Sequence, residues 1–311
     1  MAKGKGKKST ASHDNRKVTT VVVLLFLAGI VFFLFFSKTK EEPLPQKVSP
    51  VGKTFKPAFV VKKSKRVPPM APPAALSSPL ALRKVSPGPG GKIAIIIDDW
   101  GQSMYNCKYL KEIPEPLEVS ILPGLRHTKD VARCALSYNK MTMLHLPLEA
   151  LYNNDFYPAD YIIKTTMTEA LVHKILNEDL KQLPSIAGVN NHMGSKATGD
   201  KTLMRIIFKE LKKKGLFFVD SMTARNSVCA KLADEMDLAF GKRDVFLDNV
   251  NTKEAIIKQI MLLAQKARHK GYAVAIGHDR RLTMQVLEEQ IPWLESQGFE
   301  IVSIKDLLEK R

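Results

Sequence analysis

The sequence predicts an α/β domain built on a parallel sheet, either doubly wound or closed as a barrel, and three observations predict it. From Lys92 onward, short apolar runs alternate with longer amphipathic ones for about 220 residues, the pattern of repeated strand and helix units. Within that stretch Ile93, Ala94, Ile95, Ile96 and Ile97 run without polar alternation, as in a strand covered by helices on both faces. Before residue 91 the composition is of another kind, so the domain has a sharp beginning.

Charge draws the same boundary. Residues 1–90 hold 17 Lys and Arg against 3 Asp and Glu, so +14 of the overall +17 lies there and only +3 belongs to residues 91–311. The basic pI is a property of the leading segment. No nucleic-acid partner is expected, because the folded part lacks a large basic excess. Cys107, Cys134 and Cys229 are three cysteines at wide spacing without a CxxC, which indicates neither a disulfide framework nor a zinc ribbon. They read as buried free thiols or, in an oxidising compartment, as one disulfide and one thiol.

Residues 1–17 carry Lys3, Lys5, Lys7, Lys8, Arg16 and Lys17 against Asp14 alone, and form the expected basic cytoplasmic tail. Residues 18–37 contain no charge around VVVLLFLAGIVFFLFF, and at a rise of about 1.5 Å per residue they span about 30 Å, a bilayer hydrocarbon core. The run is long for a signal peptide and no small-x-small site precedes Lys38, so an uncleaved transmembrane anchor is expected. With the basic cluster inside, the carboxyl-terminal bulk lies outside: a single pass through a bacterial inner membrane, with the domain in the periplasm or at the cell surface. Residues 38–90 hold 11 of the 18 prolines and few aromatics, the composition of a disordered, partly polyproline tether.

In residues 91–311 the expected strands are 92–97, 117–122, 141–146, 186–190, 215–219, 237–240, 272–276 and 299–303. The expected helices are 104–112, 128–138, 168–182, 200–214, 226–235, 252–270, 281–297 and 304–310. Thr166 to Glu169 and Asp200 resemble N-terminal capping signals, and Gly215 a C-terminal one.

Polar residues gather where these strands end. Asp98 and Asp99 follow IAIII, His145 follows MTML, His192 follows AGVN, Asp220 and Ser221 follow LFFV, and His278 follows AVAIG. The carboxyl edge is where parallel sheets bind ligands. Taken alone, the Asp pair reads equally as a helix N-cap with its neighbour, and each histidine as a satisfied core or capping residue. Taken together, one Asp and two His make a donor set for a divalent ion such as Zn²⁺, which in catalytic sites keeps a position open for water. A second, unligated carboxylate next door then takes a proton from that water.

The phrases IAIIIDDWG, LHLPLE, GVNNHMGSKAT, GLFFVDSMT, RDVFLDN and AIGH, in this order over about residues 91–308, resemble the divergent polysaccharide deacetylase family, a remote branch of the NodB-type carbohydrate esterases. The resemblance implies a deformed (β/α) barrel that removes N- or O-acetyl groups from sugars with a bound divalent metal. It implies Asp98 as base, Asp99 and His145 as metal ligands, His278 as acid and Asp220 as the group orienting that acid. The family's HxxxH reads His145-Leu146-Pro147-Leu148-Glu149 here, which leaves the third ligand to Glu149 or His192. Its arginine-proline motif is replaced by NNHMGS. Asn191, Ser221 and Trp100 are the expected substrate contacts, with Trp100 offered as a sugar platform or as core packing. Asn190 and Asn191 equally suit a turn or support of His192, and Asp244 and Asp248 suit a mouth or a cap. The function implied is hydrolysis of an acetylated cell-envelope glycan. Its rival is a silent module of the same fold that binds glycan or an envelope protein.

Overall fold

The computed structural model describes residue 1, residues 90–152, 157–183 and 185–308. The expected tail, anchor and almost all of the linker lie outside these residues. Among the described residues no helix is long and apolar enough to cross a membrane.

The chain runs β1 (Gly91–Trp100), α1 (Cys107–Glu112), β2 (Glu118–Ile121), α2 (Thr128–Ser137), β3 (Met141–Leu148), α3 (Glu169–Gln182), β4 (Gly188–Met193), α4 (Lys201–Lys213), β5 (Phe217–Asp220) and α5 (Cys229–Met236). It continues with β6 (Phe240–Lys242), β7 (Val245–Phe246), α6 (Lys253–Lys270), β8 (Tyr272–His278), α7 (Arg281–Ser296), β9 (Phe299–Ile301) and α8 (Ile304–Leu308). Asp200 caps α4 by accepting from the Leu203 N–H at 2.9 Å, as its sequence signature predicts. At α3 the cap is Thr168 rather than Thr166, because the helix begins at Glu169. Gly215, with φ at 69°, provides the left-handed step after α4.

All described pairings are parallel, and the strand order is β6-β5-β4-β3-β2-β1-β8-β7, with β9 beside the start of β1. This is the order of an eight-stranded β/α barrel opened between β6 and β7, whose strands are only three and two residues long. The expectation of a deformed (β/α) barrel therefore describes the domain. Strands β3, β4 and β8 run further than their apolar runs suggest, ending at Leu148, Met193 and His278. Parallel pairing continues through His145↔Asn190, Pro147↔His192 and Asp98↔His278, so these polar residues belong to the ladder.

The period of two in each strand divides the core. Ile93, Ile95 and Ile97 point into the large apolar layer under the helices, whereas Ala94 and Ile96 join Met143, Phe217, Val219, Val274 and Ile276 on the concave side. Each of these isoleucines is fully buried, worth about 1.5–3 kcal/mol apiece. At the amino-terminal end α8 closes the concavity with Ile304 and Leu307. Continuing the same faces upward by two residues leads from Ile96 to Asp98, from Met143 to His145, from Gly188 through Asn190 to His192, and from Ile276 to His278. The concave face thus changes from apolar at the bottom to ionisable at the carboxyl edge.

Glu118 is the exception at the bottom. It is fully buried, its Oε1 accepts from the Ile304 N–H at 2.7 Å, and its Oε2 has no partner. Burial pushes its carboxyl up to about 8. The folded state therefore holds a proton that the unfolded state has lost. The contribution is fully present below the unfolded pKa near 4.5 and disappears as pH rises through about 8. In Glu118→Gln the amide keeps the bond to Ile304 and copies the protonated acid. Urea unfolding of the two proteins should give similar stabilities at pH 5 and a lead for the variant, on the order of 1–4 kcal/mol, at pH 8.5. Parallel stability curves across that range would exclude this assignment.

Candidate metal centre and active site

By alternation Asp99, next to last on β1, would point under the helices, away from Asp98. Two features reverse that. The β1–β2 register shifts between Ile97 and Trp100, and Asp99 adopts φ at 64°, a left-handed conformation uncommon for a residue with a Cβ. Both neighbouring carboxylates consequently reach the mouth. Met193 and Met222, at the ends of β4 and β5, are also left-handed, with φ at 54° and 53°. Strain of this kind costs on the order of 1–3 kcal/mol per residue and clusters at functional edges.

The Asp99 carboxylate lies 3.2 Å from His145 Nε2 and 3.1 Å from His192 Nδ1, and those two nitrogens are 3.2 Å apart. A tetrahedral ion bound at about 2.0–2.2 Å has ligand-to-ligand edges of about 3.3–3.6 Å, so the three atoms, slightly closer than that, are grouped as one face of such a site. Asp99 Oδ1, the atom facing both rings, is buried and makes no regular hydrogen bond. That orphaned acceptor beside two imidazole nitrogens fits a divalent cation. Among the described residues this is the one group of three or more His, Cys, Asp or Glu with ligand atoms close enough to share an ion.

Asn190 organises the groups behind it. Its Oδ1 stands 2.9 Å from His145 Nδ1 and accepts from Ser120 Oγ at 2.5 Å, while its Nδ2 donates to Asp98 Oδ1 at 2.8 Å. A carbonyl facing Nδ1 places the proton there and leaves the Nε2 lone pair of His145 toward Asp99. Burial pushes the Asp98 carboxyl up, and His145 and Asn190 only partly offset it. Burial also raises Asp99, but the close imidazoles of His145 and His192 and their charges outweigh it and hold this carboxyl well below the usual range.

His278 faces the same mouth from β8, with Nε2 3.9 Å from Asp99 Oδ2. Its Nδ1 lies 2.8 Å from Asp248 Oδ1, and Asp248 Oδ2 accepts from the His278 N–H at 2.9 Å and from Thr283 Oγ1 at 2.6 Å. Burial alone would lower the His278 pKa, but Asp248 and the charge of Asp99 raise it above the ordinary value. The orienting carboxylate is therefore Asp248, from the loop after β7, and not Asp220. Asp220 accepts from the Met222 N–H at 2.7 Å and from Ser227 Oγ at 2.6 Å, closing its own turn.

Three further expectations are corrected. Glu149 is absent from the ligand group: Oε2 accepts from the Thr165 N–H and Oγ1 at 2.8 and 2.7 Å, and Oε1 pairs with Lys196 at 2.8 Å. It clamps two loops together. Glu149→Ala should lower stability by about 1–3 kcal/mol in thermal unfolding while leaving metal stoichiometry unchanged; loss of metal would return it to the site. Trp100 is completely buried and pairs with Ile121, so no sugar can stack on it. Asn191 lines the cavity, yet its amide donates to Met193 O at 2.6 Å and accepts from the Ser221 N–H at 2.8 Å, which occupies it with the strand ends.

A cavity of about 190 Å³ opens over these groups, lined by Asp98, Asp99, His145, His192, Ser221, Arg243 and His278 among others. Larger depressions of about 540 and 500 Å³ lie at the opposite ends of the strands, around Lys212 to Phe217 and around Pro116 to Met141. They hold none of this cluster. Arg243 escaped the reading of the sequence: its Nε donates to Ser221 O at 2.7 Å, its Nη2 to Met222 O at 3.1 Å, and its guanidinium lies 4.8 Å over the Phe246 ring. Arg243 and Asp248 both belong to the phrase RDVFLDN, the one available signal.

An open parallel β/α barrel with this carboxyl edge defines a polysaccharide deacetylase-like domain. The chain belongs to the divergent polysaccharide deacetylase family, whose model matches residues 95–308. It is 30% identical over 217 residues to the uncharacterized protein YibQ of Escherichia coli (strain K12), a match covering 70% of this chain and 65% of that protein. An uncharacterized protein of Haemophilus influenzae is 32% identical over 197 residues, covering 63% of this chain and 70% of its own length. In fold, the crystal structure of an uncharacterized protein from Agrobacterium tumefaciens C58 superposes with a TM-score of 0.67 at 18% identity, over 71% of this chain and 90% of that one.

Proposed function

We propose that this protein is a membrane-anchored, extracytoplasmic, metal-dependent deacetylase acting on an acetylated polysaccharide of the cell envelope. The observation that carries the reading is the ligand spacing of Asp99, His145 and His192, with Asp98 and His278 flanking them. One carboxylate and two imidazoles suit Zn²⁺ among the common divalent ions. Such an ion, when bound, polarises the acetyl carbonyl and acidifies water. The proton work falls to the chain's own groups. Asp98, held by Asn190, takes the proton of the attacking water, and His278, oriented through Nδ1 by Asp248, delivers one to the leaving nitrogen or oxygen. Ser221 and Arg243 line the same cavity.

His192 favours this reading over a silent glycan-binding module, since it fills the ligand position that the HxxxH departure at Glu149 leaves open. The anchor rests on the uncharged run 18–37 and the extracytoplasmic placement on the basic cluster before it. The purified full chain, loaded with Zn²⁺, should release acetate from acetylated chito-oligomers or peptidoglycan fragments, lose that activity to a chelator and regain it with metal. A chain that binds one equivalent of metal and releases no acetate from either substrate would leave the silent module as the correct description.

A further inference from the structure

We infer that Cys107 and Cys134 form a disulfide that ties α1 to α2 beside the catalytic edge. The inference rests on the extracytoplasmic placement proposed above and not on the deacetylase activity. The two residues are 27 positions apart in the chain, yet Cys134 Sγ lies 3.9 Å from Cys107 O across the packed α1–α2 contact. Cys107 heads α1 with its side chain in the apolar core, where Sγ lies 4.0 Å from Met104 Sδ, and Cys134 packs against that core from a half-buried position. The third cysteine, Cys229, is fully buried on α5 against Thr198 O and belongs to another contact. Both thiols are free in this structure; burial pushes the Cys107 thiol up, and the neighbouring Cys134 thiol pushes it further.

The sequence of events follows from exposure. Cys134, the more accessible thiol, attacks a donor disulfide, either glutathione disulfide or the oxidised, disulfide form of a protein carrier, and frees one donor thiol. Cys107 then attacks the mixed disulfide from inside the interface and expels the second donor thiol. Two S–H bonds are lost and one S–S bond gained, and the donor carries away two electrons and two protons. The bridge also bears on the site: Asn106, immediately before Cys107, donates to Asp279 Oδ1 at 2.6 Å, and the Asp279 N–H donates to Asp98 O at 2.8 Å. Closing a loop of this length removes freedom from the unfolded chain.

The test uses the full chain, purified reduced in detergent, equilibrated with a mixture of oxidised and reduced glutathione, then denatured, alkylated and analysed by peptide mass spectrometry. The expected result is alkylation of Cys229 alone and one peptide pair joined through Cys107 and Cys134. The oxidised protein should melt roughly 5–10 °C above the reduced one. Cys229→Ala should keep both the link and the shift, and Cys134→Ser should lose both. Three alkylated cysteines after oxidation, a lasting glutathione adduct on Cys134, a link through Cys229, or a melting shift that survives Cys134→Ser would each overturn the assignment.

Discussion

Asp99→Ala is expected to abolish both metal binding and acetate release, whereas Asp98→Asn is expected to keep one metal per chain and lose about 10²–10⁴ in kcat. The difference follows from geometry. Asp99 offers its oxygen to the face formed with His145 Nε2 and His192 Nδ1, and its removal leaves two imidazoles, fewer than the three protein ligands a catalytic ion uses. Asp98 bonds to Asn190 instead, its other oxygen standing 3.7 Å from His145 Nε2, so an amide in its place preserves the shape but cannot take a proton. Metal content by mass spectrometry and acetate release, measured on the same preparations, separate the two roles. Equal metal loss in both variants would remove the distinction between base and ligand.

Asp248→Asn is expected to cost about 10²–10⁴ in kcat with metal content unchanged. Asp248 accepts three hydrogen bonds, two of them from His278. An asparagine that keeps its oxygen toward the His278 N–H and Thr283 turns its amide toward Nδ1, which reverses the tautomer and leaves a neutral ring with a poorly acidic Nε2–H. The limb of the pH profile set by His278 should also move to lower pH, because the charge that raises its pKa is gone. A fall in melting temperature with an unmoved pH profile would make Asp248 a structural residue only.

Several parts of this site were legible before any coordinates. The run Ile93–Ile97 ending in two aspartates, and the histidines after MTML, AGVN and AVAIG, marked one edge of one sheet, because apolar period and strand ends are local properties of the chain. Other parts were not legible. Glu149 stands at the spacing of a ligand, but two loops approach it with Thr165 and Lys196, and no local signal announces partners so far along the chain. Trp100 follows the aspartate pair directly, yet the shifted register at the end of β1 turns it into the core. Asp220 ends an apolar strand as an orienting acid would, but Asp248 reaches His278 first, from a loop whose strand is two residues long and carries almost no pattern.

By itself the sequence determined the parallel α/β class, the shift of composition near residue 91, the uncharged run expected to anchor the chain and the edge at which polar residues gather. These follow from composition and periodicity, which neighbouring residues impose on one another. The tertiary structure alone decided which groups converge. A left-handed backbone at Asp99 brings both carboxylates to one mouth, Asn190 joins Asp98 to His145, His192 comes within 3.1 Å of Asp99 and Asp248 holds His278. Convergence of that kind depends on strand register and on single dihedral angles, quantities that only the closed packing of the whole barrel fixes.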